Sequence, residues 1–580
     1  MKFLRFTIVA CTIPVGVWAQ YFTRITNSPV ATDPGDSRSV NWIDVNGDGA
    51  VDCFISNGPQ GGQNNTLYLN DGAGNFTAVL QDTIVQDNAP SDGATFADID
   101  NDGDLDAFVV NWYNHNNLMY TNNGDGTFNK IAVGAAVTDA GYSETAAWAD
   151  YDKDGLVDLY VTNSAGNKKN FLYHNEGNGQ FTRIEGGDIV NDAFFSRNIS
   201  WADIDNDGDL DAFVTNEEAQ NEQLYRNDGQ GNFTKVSTGD LVNDGGHTMS
   251  SSWADFDNDG DLDVVLANDR GFNSLFRNDG NLNFTKLLSD TVCTTPSRSF
   301  SSAWGDIDND GDLDLFFTNS FAPGARWPNF LYINNGDGSF SRINQDITTT
   351  DSGWSYGCAF ADYNNDGFLD LAVATCRFAG ADEPNYLYQN NGNGNNWLSI
   401  SLEGRQSNRS CIGARVYVKA MINGNAVWQM RELSAQSAYC GQNDMRAHFG
   451  LGDATMADSV RVVWPSGQVE HFAAVAAGQF VHYKEMEEIH TKDHIKGKGL
   501  CIYPNPARDH IWMELAKDGF AGSTEVAMYG MDGKLILKTH FPARQLSFRL
   551  DIENKVIASG NYLFQLRQGN NVWVRKVTIE

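Results

Sequence analysis

A nine-residue acidic loop recurs seven times in this chain, and any fold it adopts must accommodate all seven copies. They are Asp44, Asn46, Asp48, Gly49, Asp52; Asp98, Asp100, Asp102, Gly103, Asp106; Asp150, Asp152, Asp154, Gly155, Asp158; Asp203, Asp205, Asp207, Gly208, Asp211; Asp255, Asp257, Asp259, Gly260, Asp263; Asp306, Asp308, Asp310, Gly311, Asp314; and Asp362, Asn364, Asp366, Gly367, Asp370. Oxygen side chains on alternate residues, followed by a glycine that permits a sharp turn, are the pattern of a calcium cage. The residue after the glycine can add a backbone carbonyl, as in an EF-hand. Here the closing ligand is the Asp at position nine, so the loop is more compact than an EF-hand. The four side chains of each copy are the expected metal ligands, for up to seven structural Ca²⁺.

The first Asp falls at 44, 98, 150, 203, 255, 306 and 362, in steps of 54, 52, 53, 52, 51 and 56 residues. A fixed period of this length points to a propeller, a solenoid or an array. An aromatic precedes each first Asp by two: Trp42, Phe96, Trp148, Trp201, Trp253, Trp304 and Phe360. An apolar run ending in Asn usually follows the loop, as in Asp158 to Asn163 and Asp211 to Asn216. A Leu-Tyr-x-Asn element with glycines and Phe-Thr comes next, as in Tyr173 to Thr182; Phe276 replaces the Tyr in the fifth copy. Four short β-branched and aromatic runs divided by Gly/Asn/Asp turns are strand signals, and four strands of about five or six residues fill the period. The expected fold class is therefore all-β: a seven-bladed β-propeller over 20–395, with the loop as the hairpin between the second and third strand of each blade. EF-hands would need helical flanks, calcium-binding β-helices a nine-residue period, and independent calcium modules would lack the paired elements. The aromatics are expected to pack between blades.

These motifs resemble the FG-GAP/VCBS repeat family, which includes the integrin α-chain propeller. The resemblance covers roughly 21 to 395. It implies fold and calcium but not a ligand, because the fold carries many functions.

The chain's 580 residues suggest several domains, and its net charge is −35. Seven loops with four ligands each make 28 positions; two are Asn, leaving 26 carboxylates, and seven Ca²⁺ would offset 14 charges. Without metal, clustered like charges disfavour the folded blade. So acidic a chain is a poor partner for nucleic acid, whose phosphates need Lys and Arg.

Lys2 and Arg5, the apolar run Phe6 to Trp18 and Val17-Trp18-Ala19 read as a signal peptide, 1–19. Ile8-Val9-Ala10-Cys11 also resembles a lipoprotein box, though early for one. No other segment is long and apolar enough to span a membrane. Seven cysteines remain after Cys11 is removed, an odd number that implies no complete disulfide framework. Cys358 with Cys376 and Cys411 with Cys440 are candidate bridges, and no Cys/His cluster suggests zinc.

From Asn396 the pattern changes to alternating apolar residues at 412 to 420 and 459 to 464, which suggest a small β domain. The order Gly404, Ser407-Asn408-Arg409, Ile412-Gly413-Ala414-Arg415, His448-Phe449-Gly450-Leu451-Gly452 and Trp464-Pro465-Ser466-Gly467 resembles the ASPIC/UnbV domain, here 396–483. Cys411 and Cys440 depart from that family. Arg409, Arg415, Arg431 and Arg446 are readable as an anion site or, preferably, as surface or structural ion pairs. Residues 484–499 read as a linker. Tyr503-Pro504-Asn505-Pro506, Tyr529-Gly530-Met531-Asp532-Gly533-Lys534 and the strand-like runs 535 to 537, 546 to 550 and 562 to 566 suggest a β-sandwich over 500–580. This segment resembles the type IX secretion sorting domain of Bacteroidota, which implies contact with that machinery and a secreted or outer-surface location.

Three functions fit: a calcium-stabilised module binding an extracellular protein or glycan, a surface polysaccharide-acting enzyme, and a structural envelope component. The first is preferred. A catalytic pair should break the symmetry of the repeat, and the sequence offers no singular constellation of Asp, Glu, His and Tyr. The insertions Ser320 to Asn329 and Arg377 to Glu383 are the least regular parts and the places to look for a ligand.

Overall fold

Each repeat folds as one antiparallel sheet, because its short runs of Val, Ile, Phe, Tyr and Trp can be buried on both faces only between two neighbouring sheets. The computed structural model describes residues 20–486 and, beyond them, 500–503, 510–515, 524–530, 534–541, 547–551, 557, 560–568 and 571–579. The expected leader, most of the linker and Pro504 to Ala507 lie outside the described residues. Blade 1 comprises Ser37–Ile43, Asp52–Asn57, Thr66–Asn70 and Phe76–Ala78. Five further four-stranded sheets repeat this order. In blade 7, Ser355–Ala361, Asp370–Thr375 and Tyr386–Asn390 are completed by the N-terminal strand Phe22–Ile25, antiparallel to Tyr386–Asn390. The first strand of each blade packs on the first strand of the next, and blade 7 packs on blade 1.

A ring of identical hydrogen bonds records the same closure. The Asn ending each Leu-Tyr-x-Asn element donates its side-chain amide to a carbonyl in the acidic loop of the preceding blade. Asn122 reaches Val45, Asn175 reaches Ile99, and so on to Asn390 on Ile307. Asn70 of blade 1 closes the cycle on Tyr363 of blade 7, at 2.7 Å. The aromatics before the loops fill the gaps between blades. Trp42 stacks on Tyr363 at 5.8 Å and Trp304 on Phe256 at 6.0 Å.

The strand count corrects one expectation. The acidic loop joins the first and second strands of each blade, as Asp44 to Asp52 lies between Ser37–Ile43 and Asp52–Asn57. The N-terminal strand belongs to the last blade, so counting strands from the N-terminus shifts every later assignment by one.

Asn227→Ala tests the ring. Asn227 bonds Tyr151 O, Leu210 O and Gly229 N. Its loss leaves buried carbonyls unpaired, at a cost of about 1–3 kcal/mol each. Urea unfolding with calcium present should show a lower midpoint; an unchanged midpoint would count against the stitch.

The small β domain has a sheet of Ala447–Gly452, Asn396–Glu403 and Gln479–Lys484, the last pair parallel. Its second sheet is Asn425–Glu432, Arg415–Ile422, Met456–Val463 and Val469–Ala476. Leu398, Val416, Phe449, Val460 and Trp464 make the core between them. This domain and the propeller form one compact unit ending at Glu485. The C-terminal unit pairs a three-stranded sheet with a four-stranded one around Ile511, Met513, Val526, Phe564 and Leu566.

Candidate cation-binding face and the domain docked on it

The seven loops share one geometry, built by their own carboxylates. In blade 1 the first Asp turns the loop: Asp44 Oδ1 accepts from Asp48 N and Oδ2 from Gly49 N. The ninth-position Asp52 accepts from Val45 N and Asn70 N, tying the loop to the second and third strands. Each other blade repeats this double anchor, as at Asp106 and Asp370. A side chain expected only as a ligand is thus also a structural tie. Gly49, Gly103 and their five counterparts have φ between +87° and +109°, a conformation glycine adopts without strain.

The predicted ligands converge. Oxygens of Asp98, Asp100 and Asp106 lie within 4.8 Å of one another, as do those of Asp150, Asp152 and Asp158, of Asp203, Asp205 and Asp207, and of Asp255, Asp257 and Asp259. Asp152 and Asp154 also gather with His174, whose Nδ1 is 3.1 Å from Asp158 Oδ1. Buried carboxylate oxygens of Asp152, Asp203, Asp255, Asp257 and Asp308 have no hydrogen-bond partner. Oxygen-only donor sets with unsatisfied, desolvated carboxylates suit a hard divalent cation. In such a site the loop aspartates would hold the ion, which would supply charge neutralisation and cross-link the turn.

Burial pushes Asp52 up to about 7, Asp106 and Asp211 to about 8, and Asp263 to about 9. Burial likewise raises Asp150, Asp255 and Asp362 to about 7. A carboxyl raised above its ordinary value, near 4, holds a proton in the native state that the unfolded chain releases, so metal-free stability falls as pH rises through the folded values. In EDTA the thermal midpoint should therefore be highest near about pH 5 and fall towards about pH 8. With calcium the order should reverse, because protons compete for the ligands. Midpoints in EDTA that rise with pH would overturn the sign.

The small β domain sits on this same loop face. Arg415 donates to Asp203 O and Asn206 Oδ1 and pairs with Glu432 at 2.8 Å and Asp203 at 3.2 Å. Arg431 lies over the Phe449 ring and faces the carboxylates of Asp306 and Asp255. Arg446 pairs with Asp444 and donates to Asn365 Oδ1 and Asp362 O. Arg409 N donates to Asn101 Oδ1, and its guanidinium pairs with Glu403. The four arginines seen in the sequence thus pack against the loops of blades 2, 4, 5, 6 and 7; they are not a shared anion site. Gly450 N donates to Asp306 Oδ2, and a Cβ on Gly450 would collide with that carboxylate. A cleft of about 600 Å³ remains beside blades 1 and 2, lined by Asp44, Asp98, Glu403, Arg409, Arg446 and His482 among others.

One segment of this domain, Ser434 to Arg446, descends into the propeller channel. Gln442 exchanges backbone bonds with Val40 and Trp42 and side-chain bonds with Phe96. Tyr439 and Cys440 reach deepest, to Glu144. Neither candidate disulfide forms: Cys440 Sγ contacts Glu144 O, Cys411 Sγ turns to Arg409 O, Cys358 bonds Ser301 and Cys376 lies against Arg38. All six cysteines characterised among the described residues are buried and free.

Comparisons with known proteins agree with the motif order. The FG-GAP-like repeat family model matches 44–109, 101–161, 150–214, 203–266, 255–317 and 320–373. The ASPIC and UnbV model matches 404–489, and the secretion system C-terminal sorting domain matches 501–580. Human cartilage acidic protein 1 is 25% identical over 523 residues, covering 81% of this chain and 76% of that protein. The Xenopus tropicalis protein of the same name is 26% identical over 325 residues, covering 53% of this chain; the chain spans about half (48%) of that relative's length. Among solved structures, the Aleuria aurantia lectin, a six-bladed propeller, is similar at 13% identity with a TM-score of 0.32, covering 55% of this chain and 98% of that one.

Proposed function

The chain belongs to the FG-GAP-like repeat family, and on that premise we propose that it is an exported, calcium-stabilised propeller that binds an extracellular protein or glycan. The observation that carries the calcium part is the set of buried loop carboxylate oxygens without hydrogen-bond partners. Such groups are costly unless paired or metal-bound. The ligands would be the four side chains of each loop, from Asp44, Asn46, Asp48 and Asp52 through to Asp362, Asn364, Asp366 and Asp370. Extracellular calcium sites commonly bind at roughly 10⁻⁴ to 10⁻³ M, which suits a protein carried outside the cell. The sorting-domain match indicates export by the type IX route, and the expected signal peptide fits it.

Calcium here rigidifies hairpins rather than performing chemistry, so recognition falls to other surfaces of the ring. The experiment is binding of the calcium-loaded chain to an array of neutral and acidic glycans and matrix proteins, repeated in EDTA. Capture that disappears in EDTA supports the module. A folded, calcium-loaded protein that captures nothing would end this reading in favour of an envelope component.

A further inference from the structure

The seven blades are near-copies, yet one column of the repeat differs in every blade but two. Six residues before each first Asp stand Arg38, Asp92, Glu144, Arg197, Met249, Phe300 and Tyr356. They occupy the start of the innermost strands, about 20 Å from the acidic loops at 3.3 Å per residue, at the opposite mouth of the channel. They were legible as a column of the repeat, but only the ring brings them together.

They form one connected network. Glu144 is 1% exposed and accepts from Tyr439 OH at 2.7 Å, Trp112 Nε1 at 2.9 Å, Ser164 and Arg197. Arg197 also holds Glu217. Tyr356 OH meets Asp92 and Tyr439, each at 3.3 Å. Arg38 pairs with Asp36 and covers the Tyr356 ring at 4.9 Å. Buried ion pairs are poor stabilisers compared with apolar packing. From the segment Ser434 to Arg446, Tyr439 and Cys440 reach Glu144, while the side chains of Arg38, Asp92, Arg197 and Glu217 stay 13%, 9%, 20% and 12% exposed.

Half-buried aromatics flank the network on two sides. Trp112 packs on Tyr113 and Tyr142 at 4.7 and 5.0 Å. Across the mouth Trp354 packs on Phe321 and Phe378 at 4.8 and 5.2 Å, and Arg326 covers Phe378 while pairing with Glu383. The two irregular insertions thus meet here. Tyr113 and Phe321, one on each side, hold φ of 59° and 48°. Left-handed backbone at bulky residues is strained, and such strain gathers at functional sites.

We propose that this mouth, opposite the acidic loops, is a carbohydrate-binding site that takes a neutral sugar ring between the Trp112 and Trp354 clusters. This deepens the binding-module reading and rests on it. Flat aromatic faces suit the apolar face of a sugar, while planar donors and acceptors on one floor suit its hydroxyls. Apolar aromatic walls with a few fixed polar groups are the general lining of a small-ligand site. Each arginine of the floor is matched by a carboxylate, so an anion would meet Asp92 and Glu217, and a cation would meet Arg38 and Arg197.

The test is affinity electrophoresis of the calcium-loaded full chain through gels containing a β-glucan, a xylan or a mannan, with the protein array run alongside. Retardation by at least one polysaccharide is expected, weakened at least tenfold in Trp112→Ala and in Trp354→Ala. Trp428→Ala, on an exposed strand of the docked domain, should leave it unchanged. Hydroxyl-radical footprinting of the unmutated chain should show the polysaccharide protecting Trp112 and Trp354, a readout independent of how the variants fold. Retardation with protection elsewhere would overturn the site. Protein capture without polysaccharide binding would overturn it while leaving the binding module standing, and capture of nothing would end both.

Discussion

Stripping calcium with EDTA is expected to lower the thermal midpoint of the propeller unit by on the order of 10 °C. At ten times its dissociation constant each ion contributes about 1.4 kcal/mol. Seven ions contribute about 10 kcal/mol, comparable to a whole folding free energy of about 5–15 kcal/mol. A unit of this size unfolds with an entropy of roughly 1 kcal/mol/K, which converts that loss into the stated shift. The effect should be cooperative, because each loop carries both the turn of its own blade and, through position two, the Asn bond from the next. Scanning calorimetry at neutral pH, with calcium added back after EDTA, measures it. A midpoint indifferent to EDTA would refute structural calcium.

Arg415→Ala is expected to be the most damaging single substitution outside the propeller, at about 3–5 kcal/mol. Arg415 is 8% exposed and lies between Glu432 and Asp203, both equally enclosed. Removing it strands two buried carboxylates, one on each side of the docking surface. In calcium the cost should shrink, because the ion becomes a second partner for Asp203; in EDTA it should be largest. Arg461→Ala is the control: among the described residues Arg461 stacks on Tyr417, at 3.7 Å, a contact worth about 0.5–1 kcal/mol. Unfolding by urea in both conditions decides the matter. Equal losses for the two variants would mean that the ion pair does not hold the domains together.

Much of the molecule was legible before any coordinates. The acidic loop is local: its ligands, its glycine and its anchoring Asp lie within nine residues, so spacing alone defines it. The aromatic two residues earlier and the Leu-Tyr-x-Asn element are fixed relative to the loop, so the period exposes them too. What each does was less clear. The second role of Asp52 and its counterparts, and the reach of Asn70 to Tyr363, depend on neighbours that the repeat alone does not identify. The polar network around Glu144 is not a local motif of the sequence, because its members lie in different blades. Its central column takes one residue from each blade, and Tyr439 and Cys440 join it from the segment that enters the channel.

The sequence by itself determined the all-β class, the repeated four-strand unit and the acidic loops. These follow from periodic patterns in which side-chain burial is set by near neighbours. Only the tertiary structure decided the closure of blade 7 by Phe22–Ile25, the docking of the small β domain on the loop face and the descent of Tyr439 to Glu144. The first pairs Phe22 with Asn390, the last spans 295 residues, and the docking contacts include one over 84 residues, Arg446 to Asp362, and one over 308, Arg409 to Asn101. Such contacts follow from the shape of the closed ring, and no short-range pattern encodes them.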